Sequence, residues 1–213
     1  MSKICAFDLS LLNTGYAIAI DGKVTSFGLI EGKGDGVERL IFNRDAVCDL
    51  IDNTAPDLIV FEDFSYGSSD GKAFERAGMA YMIRAELFGD KRPYFAVSPM
   101  SLKKFVVGSA GSAKKKVTKD LVIKEIFRRF GHNVDDNNVA DAIGLAYVAM
   151  AALGDWDTQM DPQRQVLATV YKNYPWIKTI AWPVPENPCA ELELAEEVTD
   201  PTLAHEGLNG WDA

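Results

Sequence analysis

The chain has 213 residues, 47% hydrophobic and 25% charged, a globular composition with room for one full domain and an appendage. Cys5, Cys48 and Cys189 are too scattered for a disulfide framework or a zinc site, and His132 and His205 lie too far apart for a histidine-based metal centre. No apolar run nears the roughly 20 residues of a membrane span, and the first strand opens without a leader pattern, so the expected location is cytoplasmic, with no membrane partner.

The net charge of −9 is unevenly placed. From Trp156 onward there are ten acidic residues against three basic, Arg164, Lys172 and Lys178. Residues 91–131, in contrast, carry eleven basic residues against only Asp120 and Glu125. A basic concentration of that kind is an electrostatic footprint for a polyanion, or else a solvated helix face.

In chain order, residues 3–9, 15–21 and 23–31 read as strands, with Asn13-Thr14-Gly15 as the first turn and Asp21-Gly22 as a tight second one. Residues 37–53 have helical spacing, with Leu40, Val47, Leu50 and Ile51 on one side. Pro56-Asp57 then introduces a strand over 58–62 that is apolar on both faces, as a covered parallel strand is. A Gly/Ser-rich loop over 65–71 leads into a helix over 72–88. Its seam is Phe74, Gly78, Tyr81, Ala85 and Phe88. Gly78 inside a helix costs about 1 kcal/mol relative to alanine, which a close helix–helix approach offsets. A strand at 94–97, a helix from Pro99 to about 107, a basic helix from about 114 to 130 and a last helix over about 138–153 complete the pattern. Beyond it, Pro162, Pro175, Pro183, Pro185, Pro188 and Pro201 predict an extended path, while Trp156, Trp176, Trp182 and Trp211 predict that parts of it pack. The expected organisation is a domain over 1–153 and an acidic extension over 154–213.

Asp8 ends the first strand, Glu62 ends the fourth, and Asp141 lies near the start of the last helix. A buried carboxylate is costly unless it is paired or binds a cation. Two at equivalent strand ends plus one on a helix form the pattern of an oxygen-ligated divalent-metal site, which suits phosphoryl chemistry. Taken singly, each has a plainer reading: a turn cap for Asp8, a lysine pair for Glu62, and a dipole-favoured first-turn charge for Asp141 with Asn138 as N-cap. Asp63 should point to the opposite sheet face from Glu62.

The order β-β-β-α-β-α-β-α with these carboxylates resembles the ribonuclease H-like architecture, a five-stranded mixed sheet flanked by helices. Phe7-Asp8-Leu9-Ser10-Leu11-Leu12-Asn13-Thr14-Gly15-Tyr16 resembles the first motif of RuvC, the bacterial Holliday-junction resolvase family. Val60-Phe61-Glu62 resembles its second motif. Leu102-Lys103-Lys104-Phe105 with Gly111-Ser112-Ala113-Lys114 resembles its lysine-bearing segment, and Ala140-Asp141-Ala142-Ile143-Gly144 its closing helix. The chain departs in having Leu9-Ser10 after the first aspartate and Asn138 where the family commonly has aspartate or histidine.

The resemblance implies a crossover-junction endonuclease of DNA recombination and repair. It would bind two Mg²⁺ ions, replaceable by Mn²⁺, act as a homodimer on branched DNA, and leave room for a branch-migration helicase as partner. By the same resemblance Asp8, Glu62 and Asp141 are catalytic metal ligands; for the fourth position helical spacing from Asp141 favours the neutral Asn138 over Asp135 or Asp136 in the loop just upstream. Lys103 and Lys114, extended by Lys115 and Lys116, contact phosphates, and Phe64 or Tyr66 wedges or stacks on opened bases. Three rivals stay open: a broader flap or fork nuclease, a nucleotide-binding protein of actin-like or kinase type, and a DNA-binding scaffold with a dead site. The chain lacks the glycine-rich phosphate loops of the second.

Overall fold

Successive residues of the first apolar segment bury to opposite sides, Ile4 and Ala6 in one cluster and Cys5 and Phe7 in another. A strand buried on both faces belongs in the middle of a covered sheet. The computed structural model, which describes residues 2–63, 72–111 and 117–179, places it there. The strands are β1 (Lys3–Asp8), β2 (Asn13–Ile20), β3 (Lys23–Glu31), β4 (Leu58–Glu62) and β5 (Tyr94–Val97), in the sheet order β3-β2-β1-β4-β5. The β1–β2 and β2–β3 pairs are antiparallel; β1–β4 and β4–β5 are parallel. This is the expected mixed five-stranded sheet of a ribonuclease H-like fold.

Helices α1 (Gly36–Thr54) and α2 (Ala73–Gly89) cover one face, on the Cys5, Phe7, Ile59 and Phe61 side. The other face carries α3 (Pro99–Val107), α4 (Lys119–Phe130), α5 (Asn137–Leu153) and α6 (Asp161–Asn173), followed by a 3₁₀ turn at Pro175–Thr179. Ser98 and Thr118 cap α3 and α4 through their hydroxyls, and Gly108, Gly131 and Gly154 end α3, α4 and α5 in the left-handed conformation. Among the described residues no helix is long and apolar enough to cross a membrane.

Four local expectations change. Asn13-Thr14-Gly15 belongs to β2, and the turn is residues 9–12, closed by Thr14 Oγ1, which accepts from Ser10 N and donates to Ser10 O. Asp141 sits beyond the first turn of α5, because Asp136, not Asn138, is the N-cap; its Oδ1 accepts from Asn138 N at 2.8 Å and Val139 N at 3.2 Å. The α2 seam does not make a close approach within the chain: a methyl group at Gly78 would meet nothing within 4 Å, and Phe74 is 90% exposed.

The fourth change concerns the stretch after Gly154, which is not extended through residue 179. Pro162 stands in the first turn of α6, where its missing N–H is no loss. Val166, Leu167, Val170 and Ile177 enter the same buried cluster as α5, and Trp156 packs its ring among Phe105, Phe130 and Tyr147. Trp182, Trp211 and the acidic patch at 191–197 lie outside the described residues.

Candidate metal centre

Register brings the carboxylates together. The parallel pairing of β1 with β4 matches Phe7 with Phe61, so one step further Asp8 comes level with Glu62. Both side chains lie on the parity of Ile4, Ala6, Leu58 and Val60, the face on which α5 packs. Asp63, one residue on, takes the other side: its Oδ1 accepts from Arg84 of α2 at 3.2 Å.

The third carboxylate depends on how closely α5 approaches the sheet. At Gly15 of β2, opposite Asp8, a Cβ would fall 2.0 Å from the carbonyl oxygen of Asn138. Only a residue without a side chain lets the start of α5 lie there. Asn138 fastens the contact by donating from Nδ2 to the Asn13 carbonyl at 2.6 Å, while its Oδ1 accepts from Asn137 Nδ2 at 2.6 Å. Beneath the turn, buried Asn43 donates to the Leu11 carbonyl at 3.0 Å, and Gly32 N donates to the Leu12 carbonyl at 2.7 Å. The result is a braced corner of β1, β2, α1 and α5.

At that corner, carboxylate oxygens of Asp8, Glu62 and Asp141 all lie within 4.8 Å of one another. At an effective dielectric near 20, each charged pair at that distance repels by about 3 kcal/mol. Burial, then the charges of Asp8 and Asp141, pushes the Glu62 carboxyl up to about 10. Burial, then Asp8, pushes Asp141 up to about 7. Asp8 is raised by burial, opposed by a hydrogen bond from protonated Glu62. Among the described residues Asp141 Oδ1 is buried without a hydrogen-bond partner. Three crowded carboxylates and an orphaned oxygen fit a hard divalent cation, which takes oxygen ligands and replaces the shared proton.

The cations nearby come from the middle of α3 and the start of α4. Lys103 of α3 lowers Glu62 and Asp141. Lys119, the first residue of α4, lowers Asp8 and Asp141 and was not anticipated, because Lys114, Lys115 and Lys116 drew the attention in the basic run. The Thr118 cap was the available signal, since it fixes the helix start and so sets Lys119 at the site's end of α4. Asp136 acts in the opposite sense on Asp8 and Asp141. Part of the basic stretch is structural: Arg128 and Arg129 grip Glu125 at 2.7 and 2.5 Å, and Arg92 pairs with Asp52 at 2.6 Å. Phe64, Tyr66, Lys114, Lys115 and Lys116 lie outside the described residues.

The class defined by this topology is the ribonuclease H-like fold, and solved structures of junction resolvases are similar to it. Thermus thermophilus RuvC superposes with a TM-score of 0.57 at 17% identity, over 72% of this chain and 97% of that one. The same protein in complex with Holliday junction substrate gives 0.56 at 16% identity, over 69% and 92%. The yeast mitochondrial Holliday junction resolvase gives 0.52 at 16% identity, over 84% and 85%. No family model and no curated protein matches the sequence.

Proposed function

We propose that the chain is a metal-dependent endonuclease that nicks branched DNA, resolving four-way junctions as a homodimer. The observation that carries this is the clustered triad of buried Asp8 and half-buried Glu62 and Asp141 at the end of a ribonuclease H-like sheet, with one oxygen left unpartnered. Bound divalent cations, Mg²⁺ or Mn²⁺, supply Lewis-acid stabilisation and water activation for in-line phosphodiester cleavage.

Asp8, Glu62 and Asp141 hold the ions. Asn138 adds a neutral amide oxygen at the fourth position, its nitrogen fixed on Asn13 and one Oδ1 lone pair remaining beyond the bond from Asn137. Lys103 and Lys119 offset the charge of the site and face the DNA backbone, joined by Lys114, Lys115 and Lys116, which precede α4 in the sequence. Phe64 or Tyr66, which follow β4 in the sequence, stacks on bases opened at the branch point.

The dimer forms through α2, whose outer side exposes Phe74 (90%), Tyr81 (62%) and Phe88 (64%) around Gly78. A two-fold assembly offers one site to each of two opposed strands of a junction. The test is incubation with labelled four-way junction, flap, fork and linear duplex, with Mg²⁺ or EDTA. Paired nicks in the junction, absent with EDTA, are expected. Equal cutting of flaps and forks would replace junction resolution by a broader branched-DNA activity, and no cutting of any substrate would overturn the nuclease.

A further inference from the structure

Far from the carboxylates, α6 and the 3₁₀ turn after it form a cleft of about 520 Å³. It is lined by Leu167, Ala168 and Tyr171 together with the cations Arg164, Lys172 and Lys178. Those three cations are all the lysines and arginines that the chain has from Trp156 to its last residue, and they line one cleft. Tyr171 sets its position: the hydroxyl donates to the Ala152 carbonyl at 3.0 Å, and Lys178 Nζ lies 4.7 Å from the ring centroid. Ala152 is eleven residues along α5 from Asp141, about 16 Å at the helical rise. Among the described residues neither Lys172 nor Lys178 has a carboxylate partner, whereas Arg164 pairs with Asp161 at 2.5 Å.

The chain continues from Thr179 into residues 180–213, which hold eight acidic residues and no lysine or arginine. Within it, Glu191-Leu192-Glu193-Leu194-Ala195-Glu196-Glu197 interleaves carboxylates with leucines. That chemistry complements a cleft lined by both cations and apolar side chains. Glu191 follows Thr179 by twelve residues, up to roughly 40 Å of chain, which amply spans a cleft that begins at Lys178.

We propose that this cleft is the docking site of the chain's own acidic segment 186–200, with Lys172, Lys178 and Arg164 binding its carboxylates and Leu167 and Tyr171 receiving its leucines. Docked there, the segment is held at the opposite end of α5 from the carboxylate cluster, so its negative charge stays away from Lys103 and Lys119. The proposal stands independently of the nuclease reading.

The test is zero-length carbodiimide coupling of the full chain, which joins a lysine amine to a carboxylate in contact with it, followed by peptide mass spectrometry. Coupling is done on equal parts of isotope-labelled and unlabelled protein. Links from Lys172 or Lys178 to carboxylates of 186–200 are expected several-fold above those from exposed Lys23 and Lys91, within one isotope species. They should fall in about 1 M salt, where the screening length is roughly 3 Å, and in Arg164→Glu. Links running mainly to Lys103, Lys104 or Lys119 would place the segment over the candidate site and overturn the proposal. So would links between isotope species, or an absence of links from the cleft lysines.

Discussion

Helices α2 and α5 are both 17 residues long, yet they meet opposite surroundings. Thirteen residues of α5 are buried, and only Asn137 and Asn138 at its start, Asp141, and Leu153 at its end are not. Four residues of α2 are buried, Met79, Ala80, Ile83 and Leu87, and a second apolar stripe faces outward. A helix apolar all round has to be a central element. Asp141 is thus a polar group on the most enclosed helix, an expensive position that makes sense as a ligand. An exposed stripe on a half-buried helix carries the opposite message: it is surface that awaits another surface.

The most damaging changes on the α5 side should be Asp8→Asn, Glu62→Gln and Asp141→Asn. Each removes charge from the ions and should reduce junction cleavage by roughly 10³-fold or more, with junction binding kept or tightened because phosphate repulsion falls. Gel-shift and single-turnover assays on the same junction separate the two effects. A variant that cleaves at the normal rate removes its residue from the site.

Next in size comes Gly15→Ala. The added carbon meets backbone, not a movable side chain, so α5 has to shift at the Asn138 contact. Overpacking of this kind costs about 3 kcal/mol, or roughly 6–12 °C in Tm for a chain of this length. Thermal unfolding that is unchanged would mean the α5–β2 corner is looser than described.

The pH dependence of the metal-free protein follows from the same crowding. Asp141 and Glu62 are raised to about 7 and about 10, so the folded state holds protons that the unfolded chain releases. Their contribution is complete below the ordinary carboxylate range and is lost as pH rises through 7 toward 10. Tm in EDTA should fall between pH 5 and pH 9, and Glu62→Gln should flatten that fall. A flat or rising wild-type curve would contradict the crowded triad.

On the α2 side the expected effect on folding is smallest. Gly78→Arg enters open space and improves helix propensity, so Tm should hold or rise slightly. Sedimentation should change all the same, from dimer to monomer, with uncoordinated single nicks in place of paired ones. A wild-type chain that stays monomeric on junction DNA would end the dimer reading.

How far the sequence carried these conclusions differs by region. Strands β3, β4 and β5, the carboxylates that end β1 and β4, and the opposite facing of Asp63 are legible, because short runs bounded by turn residues and strand-end charge are local signals. The α6 helix is not legible, because proline density predicts an extended path, although Pro162 sits where a helix tolerates it and Val166 and Val170 bury against α5 only in three dimensions. Gly15 and Lys119 were not anticipated for a related reason. The close approach of Asn138, and the electrostatic reach from α4, join residues more than 100 and 20 positions apart, which no spacing rule displays.

The central claim is that Asp8, Glu62 and Asp141 together bind divalent metal, and calorimetric titration of Mn²⁺ into the purified chain tests it without reference to cleavage. In buffers of different ionisation enthalpy at about pH 7.5, the wild type should bind ions with release of protons, since Glu62 is protonated without them. Asp141→Asn should weaken binding by at least an order of magnitude. Identical isotherms for wild type and Asp141→Asn, or wild-type binding with no proton release, would contradict the account.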